Sequence, residues 1–340
     1  MSVGVGLVGY GYWGVNLARN VVSSGQRLVS VADADPGRQH AAKNSYPDTR
    51  VVDSLDRLLA DAEIEAVVIA APAGLHYDMT KQVIDAGKHV LVEKPLATNV
   101  VDAEELVARA EHRGVVLMVG HTFLYAAPVR RLREYIADGD LGAVQYLYSQ
   151  RLSLGRIRRD CNALWNFAPH DVAIMLFLLG EKVVEVSGRG FSFIEPGIDD
   201  VCFATLQFES GIGANLHVSW IDPRKTRLMT VVGDQKMVIY NDVSADQKLW
   251  LVDAGVARSG GGFGAYESMG DFQWRTRAGD IVIPHLTMSE PLEVELAAFA
   301  EACAAGGGVL ADGAHGLEVV RVLAAIDASV AAGGKPVAVT

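Results

Sequence analysis

A run of glycines near the N-terminus constrains the fold of this chain more than any other feature. Residues 3–8 form a short apolar segment, and Gly9, Gly11 and Gly14 follow it at the spacing GxGxxG. In a dinucleotide-binding site, the first glycine permits a tight turn, the second lets the backbone approach the pyrophosphate, and the third lets a helix pack on the strand. Alone, the motif also fits an ordinary glycine-rich turn, so the neighbouring segments decide its meaning.

The segment after the glycines predicts a helix. Leu17, Val21 and Val22 recur at helical spacing and are expected on one buried face. The free N–H groups at the start of such a helix are donors for phosphate oxygens. Tyr12 and Trp13 lie within the loop and are candidates to flank a bound dinucleotide; the alternative for Trp13 is that it covers the end of the sheet.

An acidic residue stands where a dinucleotide site needs one. Residues 28–32 predict a second strand, and Asp33 ends it 19 residues after Gly14. A carboxylate at this place can accept hydrogen bonds from both ribose hydroxyls, and it repels a 2′-phosphate. NAD is therefore predicted as the cofactor in preference to NADP. Arg38 opposes that preference, since a guanidinium can neutralise a phosphate.

The composition narrows the class of protein. The chain has 340 residues, half of them apolar, which predicts about two domains with a substantial core. A formal net charge of −11 argues against nucleic acid or an anionic membrane as the main partner. Three dispersed cysteines predict neither a disulfide framework nor a zinc site, and no metal is expected. Without a secretory signal or a bilayer-spanning apolar run, the sequence predicts a cytoplasmic protein.

Strand and helix patterns alternate over residues 1–122. This alternation predicts an α/β Rossmann domain with a doubly wound parallel sheet, whose ligands bind at the carboxyl ends of the strands. Pro72, His76, Lys94 and His121 each follow a predicted strand. We therefore expect these four residues at the same edge of the sheet as the glycine loop.

Residues 123–340 predict an α+β domain built on an open, mainly antiparallel sheet. Hairpin turns are expected at Ser210-Gly211 and Gly233-Asp234. Helices are predicted over 291–305 and 316–332, free to pack back on the first domain. A sheet with one uncovered face predicts a homodimer or homotetramer formed through it. The predicted strands span 144–152, 183–193, 202–208, 213–220, 228–232, 237–240 and 249–252, and 253–280 gives no clear pattern.

The segment around Glu93-Lys94-Pro95 makes the prediction specific. GKHVLVEKPLA follows APAGLHYD, and with VGYGYWG and GHTFLY it resembles the glucose–fructose oxidoreductase / inositol dehydrogenase (Gfo/Idh/MocA) family over nearly the whole chain. Members are mostly NAD(P)-dependent oxidoreductases of sugars, cyclitols and nucleotide-activated sugars. The resemblance implies that Lys94 is the active-site lysine and that Pro95 is a proline often preceded by a cis peptide bond. It also places Glu93 beside the cofactor.

The proton acceptor is predicted on a helix that continues to residue 179. His170 matches the family's histidine there, and its intrinsic pKa suits a general base. Many relatives have an aspartate four residues earlier, where this chain has Asn166, which can hold a hydroxyl but cannot take its proton. The proton chemistry is then expected to rest on His170 with Lys94. Pro169 is predicted in the first turn of this helix, and Asp171 as a first-turn acid that the helix dipole favours.

Other polar residues have two interpretations each. His76 and His121 contact cofactor or substrate, or else satisfy backbone groups in loops. Arg151 and Arg224 belong to local clusters of cations in an acidic chain, and arginine suits bidentate recognition of a diphosphate. The alternative for these arginines is a solvated loop charge or a salt bridge between subunits.

Together with these residues, the family resemblance implies hydride transfer between nicotinamide and a secondary alcohol or ketone of a sugar or nucleotide-activated sugar, with C3 as a candidate carbon. A cyclitol or free-sugar dehydrogenase is the first alternative. A non-catalytic dinucleotide-binding regulator is the second: Asn166 favours it, whereas Lys94 and His170 argue against it. A third is an enzyme that retains its cofactor and uses it to oxidise and re-reduce the substrate.

Overall fold

A computed structural model describes residues 2–258 and 274–340. Its N-terminal part is a six-stranded parallel sheet with strand order β3-β2-β1-β4-β5-β6, which confirms the predicted doubly wound arrangement. The strands are β1 (Gly4–Val8), β2 (Arg27–Ala32), β3 (Arg50–Val52), β4 (Ala66–Ile69), β5 (His89–Glu93) and β6 (Leu117–Gly120). The helices between them are α1 (Gly14–Ser23), α2 (Pro36–Ser45), α3 (Leu55–Leu59), α4 (His76–Asp85) and α5 (Val100–Arg113).

Local sequence explains where these elements begin and end. The Asn99 side chain accepts a hydrogen bond from the backbone N–H of Asp102 and so caps α5, and Gly114, at φ +66°, ends it. In α1 the predicted apolar face is only partly correct. Leu17 and Val21 are buried, whereas Val22 is 47% exposed, because it lies on the solvent side of the helix.

The C-terminal part is built on a second, mainly antiparallel sheet, as predicted. Within the described residues it has strand order β14-β13-β12-β11-β7-β10-β9-β8-β15, and β7 with β10 is its parallel pair. The strands are β7 (Val144–Leu154), β8 (Val183–Phe191), β9 (Val201–Phe208), β10 (Gly213–Ser219), β11 (Ile221–Gly233), β12 (Met237–Asn241), β13 (Leu249–Arg258), β14 (Trp274–Val282) and β15 (Val337–Ala338). Part of the segment without a clear pattern, 259–273, lies outside the described residues.

Helices cover one face of the second sheet and connect it to the first. They are α6 (Ala127–Ala137), α7 (Ala163–Leu179), α8 (Pro291–Ala305) and α9 (Gly313–Ala331). The chain before α9 pairs with β6, since the backbone N–H of Val119 donates to the carbonyl of Ala311 at 2.8 Å. At Gly316 in α9 a Cβ would stand 2.5 Å from a methyl group of Val119, so the helix packs closely on the first sheet. The two sheets therefore share one continuous core.

The opposite face of the second sheet carries exposed aromatic side chains. Tyr146 stacks on Tyr148, and Phe203 stacks on His217 at 4.2 Å between ring centroids. Phe191 lies edge-on to Phe203. Among the described residues, no helix is long and apolar enough to cross a membrane.

Candidate active site

The glycine loop joins β1 to α1 with very little space around two of its three glycines. Gly9 has φ +90°, and a Cβ there would stand 2.6 Å from the carbonyl oxygen of Ala70. A Cβ on Gly14 would stand 1.9 Å from the carbonyl oxygen of Gly9. At Gly11 a Cβ would meet only the Arg38 guanidinium, at 3.7 Å, so this side of the loop is open. This geometry fits the tight turn, close packing and open approach that a pyrophosphate needs.

Asp33 is tied to the glycine loop. One carboxylate oxygen accepts from the backbone N–H of Tyr10 at 2.7 Å, and the other accepts from the backbone N–H of Asp35 at 2.9 Å. The Arg38 guanidinium lies 3.7 Å from the carboxylate, on its exposed side. A negative charge on Asp33, after β2, and a positive charge on Arg38, in α2, therefore lie next to each other beside Gly11.

Glu93 and Lys94 follow β5 at the same edge of the sheet. Glu93 accepts from the indole N–H of Trp13, so it links the glycine loop to the end of β5. Burial raises the pKa of Glu93 to about 7, although Lys94 and the Trp13 N–H act in the opposite direction. The peptide bond between Lys94 and Pro95 is cis.

The Lys94 ammonium group reaches across to α7. Its Nζ donates to the backbone carbonyl of Asn166 at 2.9 Å. Burial lowers the pKa of Lys94, and the nearby Arg151 lowers it further, whereas Glu93 raises it. Lys94 therefore gives up a proton more easily than a free lysine does, and it connects the two halves of the molecule.

The helix that carries Asn166 and His170 begins earlier than the sequence predicts. Asn162 caps α7 by accepting from the backbone N–H of Trp165, so Pro169 lies inside the helix rather than in its first turn. The prediction for Pro169 is therefore wrong. A proline inside a helix leaves one carbonyl without its usual donor, here near the carbonyl that Lys94 binds. Asn166 and His170, four residues apart, share the face of α7 that lines the cleft.

Asp171 is not the first-turn acid that was predicted. It lies in the middle of α7, is 3% exposed, and accepts from the Ser149 hydroxyl at 2.6 Å. The Nε of Arg151 donates to Asp171 at 2.5 Å, and its Nη2 donates to the other carboxylate oxygen at 3.3 Å. The Arg151 guanidinium also lies over the ring of Phe123, 4.7 Å from its centroid. The charge of Arg151 is thus already compensated by a buried carboxylate.

His170 is held in a nonpolar and positively charged setting. Its ring lies edge-on to Phe123, with 4.9 Å between ring centroids. Burial holds the pKa of His170 well below its usual value, and the charges of Lys94, Arg151, His121 and Arg227 lower it further. The imidazole is therefore neutral near pH 7 and has a nitrogen lone pair available to accept a proton.

One cleft of about 750 Å³ brings together predicted residues from the glycine loop, the end of β5, β7 and α7. A neighbouring cleft of about 590 Å³ contains Pro72, His76, Lys94 and Asn166. The larger cleft is lined by the loop residues Tyr12 and Trp13, by Glu93 and Lys94, and by Asn166, His170 and Arg151.

Other predicted residues lie outside the larger cleft or are already bonded; the three loop glycines, Asp33 and Arg38 line neither cleft. Both ring nitrogens of His76 lie at hydrogen-bond distance from backbone carbonyls, 2.7 Å from Pro95 and 2.9 Å from Ala71. These contacts favour the interpretation in which His76 satisfies backbone groups of the loop. His121 is 1% exposed and lines neither cleft. Arg224 is exposed at the start of β11 and lines neither cleft.

The sequence did not indicate several residues that the structure brings to the cleft. Phe123 and Thr122 form part of its wall, and the Thr122 hydroxyl donates to the buried Glu295 at 2.7 Å. Arg227 belongs to the cation cluster that the sequence indicates around Arg224; it lines the cleft and pairs with Asp242 at 3.1 Å. No local signal marks Glu295, because it stands in an ordinary helical pattern of α8. Across the described residues, no group of three or more His, Cys, Asp and Glu side chains could hold a metal ion.

Comparison with protein families gives two matches. A model described as an oxidoreductase family with an NAD-binding Rossmann fold matches residues 3–121. The model of the GFO/IDH/MocA C-terminal domain matches residues 129–239.

Among curated proteins, the 2,7-anhydro-N-acetylneuraminate hydratase of Mediterraneibacter gnavus is 31% identical over 222 residues, 61% of this chain and 59% of that protein. The 1,5-anhydro-D-fructose reductase of Ensifer adhaerens is 31% identical over 209 residues, 57% of this chain and 62% of that protein. The matches thus span less than two thirds of these relatives.

Two solved structures align along nearly the whole chain. GenD2 from gentamicin A biosynthesis, in complex with NAD, has a TM-score of 0.83 and 26% identity, covering 100% of this chain and 97% of that one. The UDP-N-acetylglucosamine 3-dehydrogenase GnnA from Acidithiobacillus ferrooxidans has a TM-score of 0.80 and 24% identity, covering 98% of both chains. The second similarity concerns the fold alone.

Proposed function

The chain belongs to the Gfo/Idh/MocA family of NAD-binding oxidoreductases, and on this basis we propose that it interconverts a secondary alcohol and a ketone on a sugar or nucleotide-activated sugar. The observation that carries the proposal is the contact from Lys94 Nζ to the Asn166 carbonyl, 2.9 Å, in a cleft that His170 and two residues of the glycine loop, Tyr12 and Trp13, also line. A dinucleotide on the loop and a substrate on α7 would then meet at Lys94.

In this proposal, the residues of the chain orient the substrate and manage its proton. Nicotinamide supplies or accepts the hydride when it is bound. Lys94 donates a hydrogen bond to the reacting oxygen and stabilises negative charge that develops there. His170, neutral because of burial, accepts the hydroxyl proton during oxidation. The Asn166 amide holds a hydroxyl in place, since it cannot accept a proton.

The cofactor proposed is NAD, with Asp33 beside the adenosine ribose. Asp33 lies at the end of β2 against the glycine loop, and its carboxylate would repel a 2′-phosphate. Gly9 and Gly14 permit the tight turn and the close packing of the loop, and Gly11 leaves its backbone open to the pyrophosphate. Tyr12, Trp13 and Glu93 line the cleft next to this loop and would flank the nicotinamide end.

A free sugar or cyclitol is the second candidate substrate, and the arginines of the cleft favour it. Arg151 is paired with Asp171, Arg227 with Asp242, and Arg158 with Asp160. Each pairing reduces the positive charge available for a diphosphate. Of these three arginines, Arg158 lines both clefts, and its partner Asp160 is exposed, so Arg158 is the residue best placed to bind phosphate by exchanging partners.

The main experiment measures NADH formation with nucleotide sugars, free sugars and cyclitols. We expect Lys94→Ala and His170→Ala each to lower kcat by about 10²–10⁴-fold on the best substrate. Lys81→Ala is the matched control, because Lys81 in α4 pairs with Glu105 in α5 and lines neither cleft. Near-full turnover of Lys94→Ala would contradict the mechanism. Intact NAD binding with no turnover of any substrate would favour the regulator.

A second experiment tests the nucleotide part of the substrate. If a diphosphate binds at Arg158, Arg158→Ala raises KM for a nucleotide sugar about tenfold more than KM for the free sugar. Arg224→Ala is the comparison, since Arg224 lies outside both clefts. Equal effects on both substrates would leave the free sugar or cyclitol as the better candidate.

We also propose that a second copy of the chain covers the exposed face of the second sheet. The stacked pairs Tyr146–Tyr148 and Phe203–His217 lie there in contact with solvent. Sedimentation of the wild type should give a dimer or tetramer, and Phe203→Glu should shift it toward the monomer. A wild type that sediments as a monomer would contradict this.

A further inference from the structure

A row of buried imidazoles continues from the candidate active site into the protein. His121 follows β6, is 1% exposed, and neither of its ring nitrogens has a hydrogen-bond partner among the described residues. The ring of His315, in the first turn of α9, lies edge-on to it with 5.6 Å between centroids. The Nε2 of His315 is likewise buried and has no partner within the described part of the chain. Buried polar atoms without partners are uncommon, so this cluster needs an explanation.

His170 lies at the active-site end of this row. Its ring packs against Phe123, two residues after His121 in the same turn, and the charge of His121 contributes to its lowered pKa. The Nδ1 of His170 is buried without a partner in the described residues, whereas the residue itself lines the cleft. The backbone of Ala173, one turn further along α7, holds His315. The three rings therefore surround the junction of α7, α9 and the turn after β6.

We propose that His121 and His315 carry to solvent the proton that His170 takes from the substrate, with water bridging the ring nitrogens. This inference rests on the oxidoreductase function proposed above. The carbinol C–H bond breaks and its hydrogen leaves with the electron pair as hydride to the oxidised nicotinamide. The O–H bond breaks and its proton goes to His170. The proton then leaves His170 from Nδ1, passes through His121 and His315, and is released at the partly exposed edge of His315.

A route for the proton is needed because residue 166 is an amide rather than an acid. Oxidation of each alcohol releases one proton, and His170 must lose it before the next cycle. An aspartate at position 166 could share that proton, but the Asn166 amide cannot. Each neutral imidazole can accept a proton on one nitrogen and release one from the other, which a buried amide or hydroxyl does less readily.

Charged groups around the row favour passage of the proton rather than its retention. Lys94 faces both His170 and His121, and Arg151 of β7 and Arg227 of β11 face His170. Asp312 and Glu318 of α9 face His315. Burial lowers the pKa of all three imidazoles. The nearby cations lower those of His170 and His121 further, whereas Asp312 and Glu318 partly offset the lowering at His315. The proton thus moves from a cationic end to an acidic end.

The test compares wild type with His121→Gln in the presence of saturating NAD and substrate. We expect a burst of about one NADH per site, because the first proton still reaches His170. Steady-state turnover should then fall about tenfold or more, with KM for NAD unchanged. Small imidazole buffers should restore turnover in proportion to their concentration, because they remove the proton through the cleft. A role in packing alone would not respond to buffer.

His315→Gln provides a second variant at the other end of the row, so the test survives if His121→Gln does not fold. His89→Gln is the matched control: His89 is a half-buried, hydrogen-bonded histidine at the opposite end of β5 from Lys94. Its turnover should not depend on the buffer. Full steady-state turnover of both His121→Gln and His315→Gln, without a buffer effect, overturns the proposal.

A measurement without substrate separates this proposal from the function it rests on. In ¹⁵N spectra of the histidines, the titration midpoint of His170 should rise in His121→Gln, because a proton on His121 opposes a second proton on His170 and glutamine takes up none. No change in the His170 signal shows that the rings are not coupled and overturns the proton route, whether or not the protein turns over a sugar. A wild type that shows the coupling but no turnover contradicts the proposed function instead.

Discussion

Two walls face each other across the cleft, and they are built in different ways. The loop wall consists of Tyr12 and Trp13 of the glycine loop and of Glu93-Lys94, at the carboxyl ends of parallel strands, and Asp33 supports the loop from the end of β2 through the Tyr10 N–H. The helix wall consists of Asn166 and His170 on α7, with the Arg151–Asp171 pair beneath them. The loop wall depends on backbone space around glycines. The helix wall depends on buried charges that come from different elements, so the two should respond differently to substitution.

The largest effect is expected in the helix wall. Arg151→Met leaves the Asp171 carboxylate buried without its guanidinium, which should lower the free energy of unfolding by about 3–5 kcal/mol. Denaturant unfolding measures the change. The double variant Arg151→Met with Asp171→Leu removes both charges and should recover most of the lost stability. A double variant as unstable as the single one would show that packing, rather than charge, supports this wall.

Substitutions of the glycines that support the loop wall should act through steric clash. In Gly14→Ala the new methyl group would stand 1.9 Å from the Gly9 carbonyl oxygen, so the loop must move and NAD binding should weaken ~100-fold, about 2.7 kcal/mol. Calorimetric titration with NAD measures this. Gly11→Ala is the informative contrast, because its methyl group meets only the end of a flexible side chain. It should leave stability unchanged while still weakening NAD binding.

The Glu93 carboxyl group gives the loop wall a pH dependence. Its pKa is about 7 in the folded protein, raised by burial from 4.5, so between these values the folded state holds a proton that the unfolded state has lost. Stability therefore falls as the pH rises through this interval. The unfolding free energy of Glu93→Gln, relative to that of wild type, should therefore rise by about 2.5 kcal/mol from pH 5 to pH 8. The same difference between variant and wild type at both pH values would show that Glu93 does not cause the pH dependence.

The smallest expected effect concerns the choice of cofactor. Arg38 lies beside Gly11 and 3.7 Å from Asp33, where it can neutralise a 2′-phosphate. Arg38→Ala should lower kcat/KM with NADP about tenfold, or 1.4 kcal/mol, and change the value with NAD much less. An equal loss with both cofactors would mean that Arg38 contacts the shared part of the dinucleotide.

The loop wall could largely be predicted from sequence because its determinants are local. Gly9, Gly14 and Asp33 stand at spacings set by one strand, one turn and one helix, and Lys94 lies in a recognisable motif. The alternation of strands and helices fixed the parallel sheet in the same way, since each pattern spans only a few residues.

The helix wall was harder to predict because its determinants are distant in the chain. Local rules place Pro169 and Asp171 in a first turn, but Asn162 caps the helix earlier and the Trp165 indole N–H binds Asp327 in α9. Asp171 could not be recognised as a buried partner until β7 brought Arg151 to it. Glu295 and His315 likewise acquire their surroundings only when α8 and α9 pack on the first sheet.

The parallel pairing of β7 with β10 has a consequence for the order of events on the ribosome. Both neighbours of β7 in the sheet, β10 and β11, lie later in the chain, and β11 ends about 80 residues after β7 does. At typical rates of synthesis, roughly 4–16 s pass between the completion of β7 and that of its second neighbour, β11. The segment before α9, which pairs with β6, is synthesised later still, near the end of the chain. Nascent chains that end at residue 200 should therefore be cut by protease within 144–154, and full-length chains should be protected there.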